Sequence, residues 1–197
     1  SPVKKAEVIT SDTYKPSFQT AKRDFFKPAD LKENFQKIAS DNFPVDATHN
    51  EQFVYILERI LAVAKDSLLA HSAVFFWYNA QKNRLTLEKF ASASSDIHEQ
   101  KFDVEDDILS KIINKEEPEL LTDIQPNAEP DVLRYYSAPQ GIKSFVGVPL
   151  FYKKKLTGIL ALDSKSNDTF GLETIYSLGR FVRVISIIIA LYEERHS

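Results

Sequence analysis

Between Ser144 and Asp163 the chain reads SFVGVPLFYKKKLTGILALD, two apolar runs separated by three lysines. This stretch limits the possible folds more than any other. Phe145 to Tyr152 carries no charge, and Leu156 to Leu162 has Thr157 as its one polar side chain. Runs this short, rich in aromatic and branched residues and broken by solvated ones, are the two strands of a hairpin. Lysine is poor strand material and suits an exposed turn. Gly147 and Gly158 leave room where something approaches the backbone closely. Pro149 cannot donate to a ladder, so its strand needs an edge or a bulge there.

The upstream sequence supplies partners for this hairpin. Ser72 to Asn79 (SAVFFWYN) is apolar on both faces, with Val74, Phe76 and Tyr78 pointing one way and Phe75 and Trp77 the other. A strand of that kind sits in a sheet covered on both sides. Arg84 to Ser92 alternates as a second strand after a turn at Ala80–Asn83, and Glu119 to Thr122 is a short strand. Thr48 and Glu51 have the spacing of a capping box. They open a helix from Asn50 to about Ala70 with Phe53, Leu57, Ile60, Leu61 and Ala64 on one broad face. A short amphipathic helix is expected over Asp103 to Asn114, capped by Asp103, with Asp106-Asp107 and Glu116-Glu117 on solvated faces. Glu129-Pro130 starts another short helix within Asn127 to Ser137. The longest helix runs from Gly171 to Glu194. Ahead of all this, residues 1–47 read as an extension. It comprises a polar arm to about Phe26 and a short helix over Pro28 to Ser40 with Leu31, Phe35 and Ile38 on one face.

Composition narrows the function classes. The chain has 25 basic and 28 acidic residues for a net charge of −3, with no basic footprint for nucleic acid. No unbroken apolar run approaches the ~18 residues that span a bilayer, and no membrane partner is expected. The sequence lacks cysteine altogether, which excludes disulfides, thiolate metal sites and cysteine nucleophiles. The four histidines, His49, His71, His98 and His196, are scattered, with none at ligand spacing. There is no Gly-rich phosphate loop and no G-x-S-x-G elbow. These observations point to a protein that is not an enzyme, holds no metal or cofactor, and works in the cytoplasm.

The order of motifs is similar to that of the GAF domain, a small-molecule sensor and dimerisation module of signalling proteins. The resemblance rests on Leu120-Leu121-Thr122-Asp123, then Ser144 with Pro149-Leu150, then Leu156-Thr157-Gly158-Ile159-Leu160-Ala161-Leu162, then Phe170 before the long helix. It covers roughly residues 50–194, within a domain set at 48–197. It implies an α+β fold: an antiparallel sheet of five or six strands, with the long N- and C-terminal helices on one face and short helices over a pocket on the other. It also implies a non-catalytic sensory or regulatory domain of an intracellular signalling protein, attached in such proteins to an output domain. GAF-type free methionine sulfoxide reductases work through cysteines, so that activity is excluded here, as is covalent bilin attachment within the domain. Of the Asn-Lys, Phe and Asp-Glu pattern of the cyclic-nucleotide branch, only Lys165 and Phe170 survive.

Two rival roles follow. In the first, an unidentified small molecule occupies an aromatic-lined pocket, with Phe75, Trp77, Tyr135, Tyr136 and Phe145 as the wall and Asp123 and Ser144 as polar groups. In the second, those aromatics simply fill the space, and the domain is a ligand-free dimerisation or protein-interaction module. Both include a homodimer. Ile175, Leu178, Val182, Ile185, Ile189 and Tyr192 step along the last helix as a heptad seam, with Phe181, Val184, Ile188 and Leu191 beside it. At ~100° per residue the two stripes cover about 200°, and one core needs only about 100°. Val182, Ile185, Ile188, Ile189 and Leu191 are therefore expected at a dimer interface.

Overall fold

The computed structural model describes residues 31–193 of the 197-residue chain. The chain forms two compact units, divided between Phe43 and Pro44. In the first unit α1 (Leu31–Ala39) is a nine-residue helix with Leu31 and Phe35 exposed. The expected polar arm and the Pro28 start of this helix lie outside the described residues.

The second unit opens with α2 (His49–Ser67). Its capping box forms as the spacing requires: the Glu51 N–H donates to Thr48 Oγ1, and the Thr48 N–H donates to the Glu51 carboxylate at 2.8 Å. There follow β1 (Ser72–Asn79), β2 (Arg84–Ser92), β3 (Lys101–Asp103), α3 (Ile108–Lys115) and β4 (Glu119–Leu121). Then come α4 (Glu129–Val132), β5 (Ser144–Tyr152), β6 (Lys155–Ser164) and α5 (Leu172–Glu193). The strands make one antiparallel sheet in the order β3-β2-β1-β6-β5-β4.

The hairpin of β5 and β6 lies within this sheet, and β6 pairs with β1 along most of its length. Its turn places Lys153 and Lys154 at φ 50° and 64°, the left-handed pair of angles that a tight hairpin needs. β4 pairs only with Phe145 to Gly147 of β5, so Pro149 sits where the outer side of the strand has no partner strand. A register shift follows at Leu150/Phe151. Both glycines are explained by close approach. A Cβ on Gly158 would lie 2.5 Å from the Phe76 carbonyl oxygen, and one on Gly147 would lie 2.6 Å from Ile112 Cδ1 of α3.

The sheet separates two cores. On one side α2 and α5 press Phe53, Leu57, Leu61, Leu178, Ile185 and Ile189 onto Ala73, Phe75, Val146, Val148, Leu160 and Leu162. On the other, α3 and the segments around α4 cover Val74, Phe76, Leu85, Leu87, Phe145, Ile159 and Ala161. This is the expected α+β arrangement, with the long helices together on one face.

Several local expectations need correction. β3 has only three residues, too few for a period-2 pattern; it exists because Lys101 to Asp103 pair with Arg84 to Thr86. Asp103 therefore belongs to a strand and does not cap α3. The cap is Asp107, whose Oδ1 accepts the Ser110 N–H at 2.8 Å. Asp107 is thus no solvated face residue, and Arg134 also pairs with it. α4 is a single turn of four residues. Arg180 and Arg183 interrupt the apolar run of α5, yet its best 18-residue window still averages a hydropathy of 1.7, enough by length and composition to cross a membrane. A buried core helix passes the same test; here 22% of the window is buried, with Leu178, Ile185 and Ile189 seating α5 on the sheet.

Candidate functional site

Strand parity selects the polar residues that enter the interior beneath α4. On β6, Ile159, Ala161 and Asp163 alternate onto the α3/α4 side of the sheet. Ser72 pairs with Asp163 on one side and with Ser92 on the other. The last strand positions thus place a polar row, Ser92-Ser72-Asp163, at the end of an otherwise apolar surface. The chain after α4 lays Tyr135 and Tyr136 over that row.

Asp163 is fully buried. Its Oδ2 accepts hydrogen bonds from the Tyr135 hydroxyl at 2.7 Å and the Tyr136 hydroxyl at 2.8 Å. Tyr136 Oη also meets Ser72 Oγ, which lies 2.6 Å from Ser92 Oγ. Oδ1 has no hydrogen-bond partner among the described residues; the Ser72 backbone N–H lowers the carboxyl less than either phenol does. Burial pushes the Asp163 carboxyl up to about 7, against the pull of the two phenols. Burial and the neighbouring carboxyl raise both tyrosines, so they remain protonated donors.

A second buried carboxylate fixes the loop above. Glu129 accepts the Gln140 N–H at 2.6 Å and the Gly141 N–H at 3.1 Å, closing the segment from 129 to 141 on itself. Gly141 adopts φ 74°, the left-handed conformation that glycine tolerates. Gln140 Nε2 donates to Asp96 Oδ2 at 2.7 Å, and Gln100 Nε2 donates to the Tyr135 carbonyl at 2.9 Å. His71 stands beside Tyr136, with ring centroids 6.5 Å apart and a buried Nε2 that has no partner among the described residues. Burial, then Lys165, lowers its tendency to protonate.

The expected pocket wall divides. Tyr135 and Phe145 are on the predicted side, but both are 0% exposed and fill the space. Tyr135 packs edge-on to Phe76 at 5.7 Å and against Tyr136 at 4.9 Å. The hollow at this place, bounded by Glu129, Pro130, Leu133, Tyr136 and residues 137–139, has a volume of about 70 Å³. Small-ligand sites usually need about 300 Å³ or more. Phe75 and Trp77 point the other way, into the α2/α5 core, because their parity on β1 opposes that of Phe76. Asp123 is an exposed turn residue at φ 55°. Ser144 is buried but donates to the Ser166 carbonyl at 2.6 Å, tying β5 to the loop before α5.

The interface residues also shift. Ile185 and Ile189, 1% and 4% exposed, face their own core, and Val182 and Ile188 are half-buried against it. Only Leu191, at 54%, stands out among the five. The exposed apolar line is instead Leu172, Tyr176, Val184, Ile187 and Leu191. The heptad-spaced stripe faces the sheet. Asp163, Ser72 and Glu129 were not anticipated. Parity was the available signal: an acid continuing the alternation of Ile159 and Ala161 lands inside.

The family model of the GAF domain matches residues 55–190, more than half of the chain. The chain belongs to the GAF domain family. No curated protein matches it. Among solved structures it resembles free methionine-R-sulfoxide reductase from Neisseria meningitidis at 18% identity. That match covers 85% of this chain and 90% of the other, with a TM-score of 0.60. It also resembles the GAF domain of an Acinetobacter phosphoenolpyruvate-protein phosphotransferase, at 17% identity over 86% and 95% of the two chains with a TM-score of 0.57. The corresponding GAF domain from Coxiella burnetii matches at 15% identity over 84% and 93%, with a TM-score of 0.59. At these identities the likeness establishes the fold. Within this GAF domain, the two phenols and the buried acid occupy the interior between the sheet and α4.

Proposed function

We propose that this GAF domain is a non-catalytic regulatory module that acts by pairing with a second copy of itself, its interior closed by its own side chains. The observation that carries the reading is the exposed apolar line Leu172, Tyr176, Val184, Ile187 and Leu191 along α5; Val63 of α2 is exposed as well. A helix seated on one core usually leaves its outer face polar, whereas here the apolar line shares that face with Arg180 and Arg183. Two such faces meeting across a two-fold axis would bury both. The filled interior supports the same reading over ligand sensing beneath α4, because Tyr135 and Phe145 occupy that volume. Catalysis at Asp163 is disfavoured because no part of its side chain is exposed to a substrate. The cysteine-free sequence separates this chain from the thiol chemistry of GAF-type sulfoxide reductases.

The test is the mass in solution, by sedimentation equilibrium, of the intact chain and of Ile187→Glu. Ile187 is 53% exposed, so the charge leaves the fold unperturbed. The expected outcome is a dimer for the intact chain and a folded monomer for the variant. A monomeric intact chain, or a variant dimer of undiminished affinity, refutes pairing through this face.

A further inference from the structure

Across the sheet from the Asp163 interior, the first turns of α2 and the end of α5 leave a groove of about 350 Å³ over β1. It is lined by His49, Asn50, Phe53, Trp77, Ile189, Tyr192 and Glu193. The rings have defined mutual geometry. Phe53 stacks on Trp77 with centroids 5.7 Å apart and planes 25° apart. Tyr192 stands nearly perpendicular to Phe53, at 6.1 Å and 73°, and His49 meets Tyr192 edge-on at 6.1 Å. Phe75 braces the indole from within the core at 4.9 Å.

The groove is walled largely by aromatic rings, with Tyr192 nearly perpendicular to Phe53 of the stacked Phe53–Trp77 pair, and a cation held over a ring face is attracted by its quadrupole. The charges agree. Among the described residues Glu193 is the carboxylate that lines the groove. Among the described residues no lysine or arginine lines this groove; Lys101 and Lys155 border a separate hollow on another side of Trp77, and Lys89 borders one that shares Asn50. The apolar walls select further. A primary ammonium would lose hydrogen bonds to water that Ile189 and Phe53 cannot replace, whereas a methylated ammonium has few or none to lose.

We propose that the groove between α2 and α5 binds a small methylated ammonium group of the size of choline. The site is independent of pairing through the outer face of α5 and of the interior beneath α4. Binding is readable directly, because Trp77 is the chain's single tryptophan. Choline is titrated against the intact protein at constant ionic strength, with 3,3-dimethylbutan-1-ol, its neutral isostere, as the control. The expected result is a saturable change in tryptophan emission with choline and at least about tenfold weaker binding of the alcohol. Tyr192→Leu should weaken choline about tenfold while leaving the alcohol nearly unaffected. Since Tyr192 is half-buried, the exposed Glu193→Gln provides a second variant, which should also weaken choline selectively. Equal affinity for choline and the alcohol would make the groove merely apolar and overturn the proposal. So would the absence of any saturable emission change together with no heat of binding by calorimetry, or full choline affinity in both variants.

Discussion

Replacing Asp163 by asparagine tests the buried proton at the centre of the GAF interior. The carboxyl goes from an ordinary value of 3.8 to about 7 on folding, and burial is the largest cause. A shift of ~3 units at about 1.4 kcal/mol each corresponds to about 4 kcal/mol. The sign follows from proton binding. Between about pH 4 and pH 7 the native state holds a proton on Asp163 that the unfolded chain has released, so stability falls as pH rises. The contribution of the protonated acid is complete below pH ~4, declines through pH ~7 and is absent above it. Asparagine keeps a carbonyl oxygen for the two tyrosine hydroxyls and cannot ionise. Urea unfolding at a fixed protomer concentration, from about pH 4 to pH 8, gives both stabilities. The free-energy difference should move in favour of Asp163→Asn by about 4 kcal/mol across that range. Other titrating groups cancel in the difference. Parallel curves for the two proteins would mean that Asp163 ionises as freely in the fold as outside it, and the argument from burial would fail.

The pairing and choline experiments make two further predictions, and two more concern the frame that holds the site. Gly158→Ala should lower stability by about 2 kcal/mol in urea unfolding, because the added methyl meets the Phe76 backbone oxygen, which the central ladder holds in place. A wild-type midpoint would contradict that close approach. Thr48→Ala should cost about 1 kcal/mol, read as a lowered Tm, by removing the acceptor for the Glu51 N–H. An unchanged Tm would show that the capping box adds nothing.

Some elements of this chain are determined by a single local pattern. The hairpin, both faces of β1, the capping box and the long last helix depend on side-chain period and on hydrogen bonds between near neighbours. Backbone geometry fixes these wherever the segment sits. The same local logic excluded cysteine chemistry and located the apolar excess on α5. The neighbour that each stripe or ring meets is decided by the tertiary structure. β3 forms because β2 offers it an edge, and Asp107 caps α3 because Asp103 is taken into that strand. Which of two apolar stripes on α5 meets the sheet depends on the rotation of the packed helix. It left Ile185 inside and Ile187 outside. Phe75 and Phe76 are adjacent and chemically identical, yet the sheet sends one to the long helices and the other to the interior beneath α4. Asp163, Tyr135 and Tyr136 were visible as letters. Only tertiary packing stacked them, because residues 28 positions apart meet when β6 and the chain after α4 close over one another. The desolvation that raises Asp163 belongs to that closure and to no segment alone.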